Sequence, residues 1–198
     1  MARTIPICAG AMAAITVAVV VGSVSAQAAD PQVERGRYLT SFGGCLDCHT
    51  AGYFFGKPDM DRYLGGSDVG FEIPGLGVFV GPNLTPDKAT GLGDWTEEQI
   101  VTALQTGVRP DGRVLAPIMP WKAFAQLTKE DALAIAKYLK SLPPMAHKVP
   151  GPFGPKETAT VWVMKLVPPA SATAPKQDKD TERRPSATRE NSEAPAPR

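Results

Sequence analysis

The chain has 198 residues and a formal charge of +1, with 21 Lys and Arg against 20 Asp and Glu. That balance, with no basic stripe, argues against a nucleic-acid surface, and the length suits one domain with additional segments. Twenty prolines and nineteen glycines beside few β-branched runs point to a loop-rich fold built on short helices.

Residues 1–28 read as a secretory signal peptide. Arg3 supplies a weak positive start, Ile5 to Val21 an apolar run, and Val24-Ser25-Ala26 or Ala26-Gln27-Ala28 a small-residue cleavage site. The rival is a retained anchor, for which the apolar run is borderline; the small-residue exit favours cleavage. Cleavage removes Cys8 and leaves Cys45 and Cys48. Export places the mature chain in the periplasm, an oxidising compartment, with membrane association only if the segment is retained.

Asp30-Pro31 opens a helix, the aspartate as cap and the proline in the first turn. Val33, Tyr38, Leu39 and Phe42 are its expected apolar side. Gly36 leaves room for another helix, and Gly43-Gly44 ends the element.

Cys45-Leu46-Asp47-Cys48-His49 follows at once. Two thiols two residues apart, with an imidazole next, form the attachment pattern of a c-type haem. About one helical turn brings both sulfurs to one edge of a flat macrocycle, where each forms a thioether, and His49 offers its ring to the iron. A redox dithiol belongs near a βαβ pattern, which is not evident here. A structural zinc site needs four ligands, whereas this chain has one further histidine, His147, and no second Cys pair.

From Thr50 to Gly81 the glycines mark turns. Phe71-Glu72-Ile73 and Leu76 to Val80 flank Pro74-Gly75, which predicts a short hairpin or folded-back loop. Phe71, Ile73, Val78 and Phe79 are candidate wall residues for one haem edge, with ordinary core packing an equal reading.

Thr96 with Gln99 forms a capping box that starts a second helix, with Ile100, Val101 and Leu104 facing inward and Gly107 at its end. Asp111-Gly112 is a turn. In Leu115-Ala116-Pro117-Ile118-Met119-Pro120-Trp121 the prolines hold Met119 on a rigid loop, which suits an axial thioether, and a Met/His pair raises the reduction potential. His147 is the next ligand candidate and an open iron site the third. Met60, Met145 and Met164 are less suitably placed. Thr128 caps a third helix with Asp131 in the reciprocal position, and Ala132, Ile135, Ala136 and Leu139 recur at helical spacing. Pro143-Pro144 stops it, and its expected partner is the first helix at Gly36.

Thr160 to Val167 reads as a short extended segment wrapping the domain. Residues 170–198 carry Pro, Ala, Ser, Thr and mixed charges with no apolar residue larger than Ala, the composition of a disordered tail. The haem-carrying domain therefore occupies residues 30–169.

The ordered set of the Cys45–His49 motif, Gly81-Pro82-Asn83-Leu84-Thr85-Pro86-Asp87, Thr90-Gly91-Leu92-Gly93-Asp94-Trp95-Thr96 and Met119-Pro120-Trp121 resembles class I c-type cytochromes. It is similar to the haem domains of periplasmic cytochrome c subunits that serve alcohol and sugar-acid dehydrogenases. The resemblance implies an all-α class I cytochrome c fold, a few short helices wrapped around one covalent haem c, with a short hairpin or loop insertion. By the same resemblance Pro82 supplies its carbonyl to the second nitrogen of His49, which fixes the tautomer and raises ligand basicity. Several of those subunits carry three such motifs and this chain has one, so only the role of a single haem domain is implied.

The expected function is electron transfer without catalysis, as a carrier or as the electron-transfer subunit of a dehydrogenase complex. Its partners are redox proteins, a dehydrogenase as donor and an oxidase or another cytochrome as acceptor. A haem enzyme or gas sensor with an open distal iron is the alternative. Trp121, Arg109 and Arg113 are candidate neighbours of the haem propionates, with surface packing equally open to each.

Overall fold

The computed structural model describes residues 30–167; the predicted signal peptide, 1–28, and the predicted tail, 170–198, lie outside the described residues. In chain order the elements are α1 (Pro31–Phe42), α2 (Cys45–His49), β1 (Val69–Ile73), β2 (Gly77–Val80), α3 (Glu97–Thr106), α4 (Trp121–Phe124), α5 (Lys129–Ser141) and β3 (Trp162–Lys165). Short 3-10 turns lie at Tyr53–Phe55 and Met60–Arg62.

The helix starts follow from local chemistry. Asp30 accepts from Gln32 N–H at 2.9 Å. Thr96 and Gln99 exchange both bonds of the capping box, satisfying donors that a helix start leaves orphaned. Thr128 caps α5 by accepting from Asp131 N–H at 3.1 Å. The reciprocal bond expected of the Asp131 carboxylate is replaced: that carboxylate takes Arg35 of α1 at 2.8 and 3.1 Å.

α1 crosses α5 at Gly36, where a methyl would run into the Ala134 carbonyl. That contact decides which stripe of α1 is buried. Gly36 and Thr40 are buried and Val33 and Leu39 partly so, whereas Tyr38 and Phe42, expected inside, are 57% and 81% exposed. Helical geometry puts residues 38 and 42 on the far side of a contact centred on 36, and their rings stack there with centroids 6.3 Å apart.

Ile100 and Leu104 of α3 meet Ile135, Ala136 and Leu139 of α5 and Leu64 in one core, each large aliphatic side chain contributing about 1.5–3 kcal/mol of burial. Lys140 closes the approach to α3: its ammonium donates to the carbonyls of Leu92, Gly93 and Trp95 at 3.2, 2.8 and 2.9 Å.

An all-α fold is corrected by a three-stranded mixed sheet in the order β2-β1-β3. β1 and β2 form the antiparallel hairpin, and β3 pairs parallel with β1, Val69 opposite Trp162 and Phe71 opposite Met164. The hairpin is written in local turn residues; a parallel partner needs a long crossover, here the stretch that holds α3, α4 and α5. Four residues with no strict alternation cannot announce such a pairing. Val78 is buried, and its N–H and C=O exchange bonds with Phe153. Phe71 meets Phe54, in the 3-10 turn that follows the Cys45–His49 motif, edge to face at 5.5 Å.

Candidate functional site

Gly44 adopts left-handed backbone (φ 67°) and launches α2, a single turn that ends when Thr50 becomes extended. One turn sets Cys45 and Cys48 on the same side. Both are half-buried and free. Burial pushes the Cys45 thiol up to about 11; burial, with the charge of Asp47, raises Cys48 as well. Thiols held neutral are the opposite of the depressed pair that a dithiol oxidoreductase needs.

His49 is 5% exposed. Its Nδ1 lies 2.8 Å from the Pro82 carbonyl, which can only accept, so the ring proton sits on Nδ1 and Nε2 keeps its lone pair. Burial lowers the basicity of the imidazole, partly offset by the bond to Pro82. The turn reaches His49 this closely because residue 81 is glycine: a Cβ there would run into the Cys48 carbonyl. Below the ring, Gly66 N–H donates to the His49 carbonyl at 2.8 Å, and Thr50 Oγ1 accepts from Leu64 N–H at 2.9 Å.

Met119 is half-buried and packs against the core cluster. Its N–H donates to Ala116 at 3.0 Å and its carbonyl accepts from Trp121 at 2.8 Å, so the loop is held on both sides. Pro120 caps α4, a short helix that the sequence did not reveal. A Cβ on Gly43 would stand 3.5 Å from the Phe124 ring, so α4 packs against the turn that leads into α2. Of the other candidates, His147 Nδ1 donates to the Gly65 carbonyl at 2.7 Å, the same kind of bond that holds His49, and the Met145 sulfur fills the space a Cβ on Gly65 would need. Met60 and Met164 are 58% and 45% exposed.

These residues fit a haem. They supply two neutral thiols on one turn, an oriented imidazole with a free Nε2 and a loop-held thioether. Arg109 stacks its guanidinium 5.3 Å over the Trp95 ring, and its Nε lies 3.5 Å from the Asp111 carboxylate. Arg113 is tied to the same carboxylate through Nε and a terminal nitrogen at 2.9 and 2.8 Å. The Trp121 ring fills the space beside Gly107. Among the described residues no group of three or more His, Cys, Asp and Glu would hold a bare ion.

Sequence reasoning missed Asn83, Thr85 and Thr90 as a buried polar network beside the Pro82 carbonyl. No local signal marks it, since its other half lies beyond α5.

The family model for cytochrome c matches residues 33–143. The chain is 33% identical over 172 residues to the cytochrome c subunit of alcohol dehydrogenase (quinone) from Gluconobacter oxydans, covering 83% of this chain and 34% of that protein. It is 33% identical over 144 residues to the fructose dehydrogenase cytochrome subunit of Gluconobacter japonicus, covering 69% and 28%. It is 31% identical over 160 residues to the gluconate 2-dehydrogenase cytochrome c subunit of Pantoea cypripedii, covering 78% and 34%. The chain thus spans about a third of the length of these curated relatives.

Proposed function

We propose, from the fact that this chain belongs to the cytochrome c family, that it is a periplasmic one-electron carrier or the electron-transfer subunit of a dehydrogenase complex. A single haem c would be held covalently by Cys45 and Cys48, with His49 and Met119 as axial ligands. When bound, the haem supplies the ferric/ferrous couple. The protein's part is done by its own residues. Cys45 and Cys48 would tether the haem, the Pro82 carbonyl orients the His49 ring, Met119 would supply a thioether ligand, and the core formed by α3 and α5 would shield the group from water.

The observation that carries this reading is the 2.8 Å bond between His49 Nδ1 and the Pro82 carbonyl, which presents an unprotonated Nε2 beside two thiols. The relatives named as dehydrogenase cytochrome subunits support a dehydrogenase as electron donor. Among the described residues no helix is long and apolar enough to cross a membrane. Residues 1–28 have the pattern of an export signal that would deliver the chain to the periplasm.

The test is a denaturing gel stained for haem, with a haem-to-protein ratio from a pyridine haemochrome spectrum. One equivalent that survives denaturation is expected, and loss of the stain when Cys45 and Cys48 are both replaced by alanine. A colourless exported chain would end the reading.

A further inference from the structure

Asn83 follows the residue whose carbonyl holds His49, and it is buried, 2% exposed. Its polar atoms are all engaged. The amide nitrogen donates to the Met145 carbonyl at 2.7 Å and to Thr90 Oγ1 at 3.1 Å, with the His147 carbonyl a longer contact at 3.4 Å. The amide oxygen accepts from Thr85 N–H at 2.9 Å and from the Thr85 hydroxyl at 2.7 Å. The two threonines reach the same distant stretch: Thr85 Oγ1 accepts from Met145 N–H at 3.1 Å, and Thr90 Oγ1 from His147 N–H at 3.0 Å. Residues 145 to 149 belong to no helix or strand, so side chains from the 83–90 turn take the place of regular backbone pairing there.

The same stretch reaches the other side of His49. His147 Nδ1 donates to the Gly65 carbonyl at 2.7 Å, and the neighbouring amide, Gly66, bonds the His49 carbonyl. Met145 and Val149 occupy the space that Cβ atoms on Gly65 and Gly66 would need. Both the ring and the main chain of His49 are therefore held by segments that residues 145–149 grip.

We propose that residues 145–149 form a latch, engaged by Asn83, Thr85 and Thr90, and that these are positioning residues for the axial imidazole. By fixing the turn that follows the Pro82 carbonyl, they hold that oxygen on His49 Nδ1 and set the donor strength of Nε2. The inference rests on the haem-carrying reading above and adds a control on its potential. A hydrogen bond to the second nitrogen of a ligating imidazole fixes its orientation and raises its basicity. A stronger donor favours the ferric form, so a slackened latch favours the ferrous form and raises the midpoint potential.

The experiment compares Asn83→Ala, Thr90→Val and Thr90→Ser in the haem-loaded full chain by redox titration, by thermal melting and by the exchange rate of the His49 Nδ1 proton in NMR. Thr90→Val is expected to shift the couple several-fold toward ferrous (a tenfold shift is about 59 mV for one electron) and to speed proton exchange. Thr90→Ser, which keeps the hydroxyl, restores both. Asn83→Ala shifts them further; should it fail to fold, the threonine pair decides. Thr128→Ala, which removes the exposed cap of α5 away from the latch, lowers the melting temperature and leaves the potential alone. If Thr90→Val lowers only the melting temperature, with potential and exchange at the unaltered values, the latch is packing and the proposal is overturned. Absence of covalent haem from the unaltered chain is a different result, and it overturns the functional reading on which the latch depends.

Discussion

The α-carbon of Gly36 in α1 rests directly on the carbonyl of Ala134 in α5, and any added methyl would have to displace that backbone oxygen. The contact ties the helix that leads into the Cys45–His49 turn to the helix that forms the back of the core. Intrinsic helix propensity favours alanine over glycine by about 1 kcal/mol, so the sign of a substitution is a contest between propensity and space. Backbone cannot yield as a flexible side chain does. Gly36→Ala is expected to destabilise by a net ~1–2 kcal/mol, the upper part of the ~1–3 kcal/mol range for overpacking less the ~1 kcal/mol propensity gain. Urea unfolding measures it, and a stability gain would show that the helices can part without cost.

The ion pair between Arg35 and Asp131 joins the same two helices. The Arg35 guanidinium holds the Asp131 carboxyl below its ordinary value of 3.8. A carboxyl depressed on folding contributes stability above its unfolded value and loses it as pH falls through the folded one. The melting temperature of the native chain should therefore exceed that of Asp131→Asn at pH 7 and converge on it once the pH drops well below 3.8. Because Arg35 is half-exposed, solvent screens the pair, and added salt should shrink the gap. A gap that persists in acid would assign the effect to something other than charge.

Lys140 donates to three carbonyls ahead of α3. Lys140→Met keeps the aliphatic stem and removes all three bonds, leaving those oxygens to water. Hydrogen bonds to a charged donor are worth about 1.5–3 kcal/mol, so a loss of about that size is expected in chemical denaturation. The first amides to lose protection from hydrogen exchange should be those of residues 92–96. Uniform loss across the domain would contradict a local role.

Met119→Ala tests the proposal that Met119 is the second axial ligand. The haem-loaded variant is expected to bind carbon monoxide rapidly and to show a lower reduction potential, since a thioether opposite an imidazole raises it. The unaltered chain should bind the gas slowly. Rapid binding by the unaltered chain would favour the open-site alternative, an enzyme or sensor.

Breaking the helix start at Thr96 gives a calibrated check on the fold. Thr96→Ala should cost about 1 kcal/mol, and Gln99→Ala less, with the double variant falling short of the sum because the two side chains serve one box. Full additivity would mean that the reciprocal bonds act independently.

What the sequence disclosed, and what it hid, follows contact distance along the chain. The Cys45–His49 motif, the caps at Asp30, Thr96 and Thr128 and the hairpin around Pro74-Gly75 are each encoded within a few residues, and the structure forms each element where the residues call for it. The inward stripe of α1 was misjudged because the choice between Thr40 and Phe42 is made by α5, some ninety residues on. The Asp131 carboxylate turned to Arg35 for the same reason. Asn83 reads locally as a turn residue, yet its bond to the Met145 carbonyl spans 62 positions. β3 carries too little alternation to name β1 as its neighbour, and its parallel pairing became visible only with both strands in place.

That pairing has a practical consequence for anyone cutting this protein down. The family match stops at residue 143, but β3 begins at Trp162 and is bonded to β1. A fragment trimmed at the end of the match would bare an edge of Val69–Ile73 and strip away residues 145–149, which pack on Gly65 and Gly66 below His49. Expression boundaries therefore belong beyond Lys165.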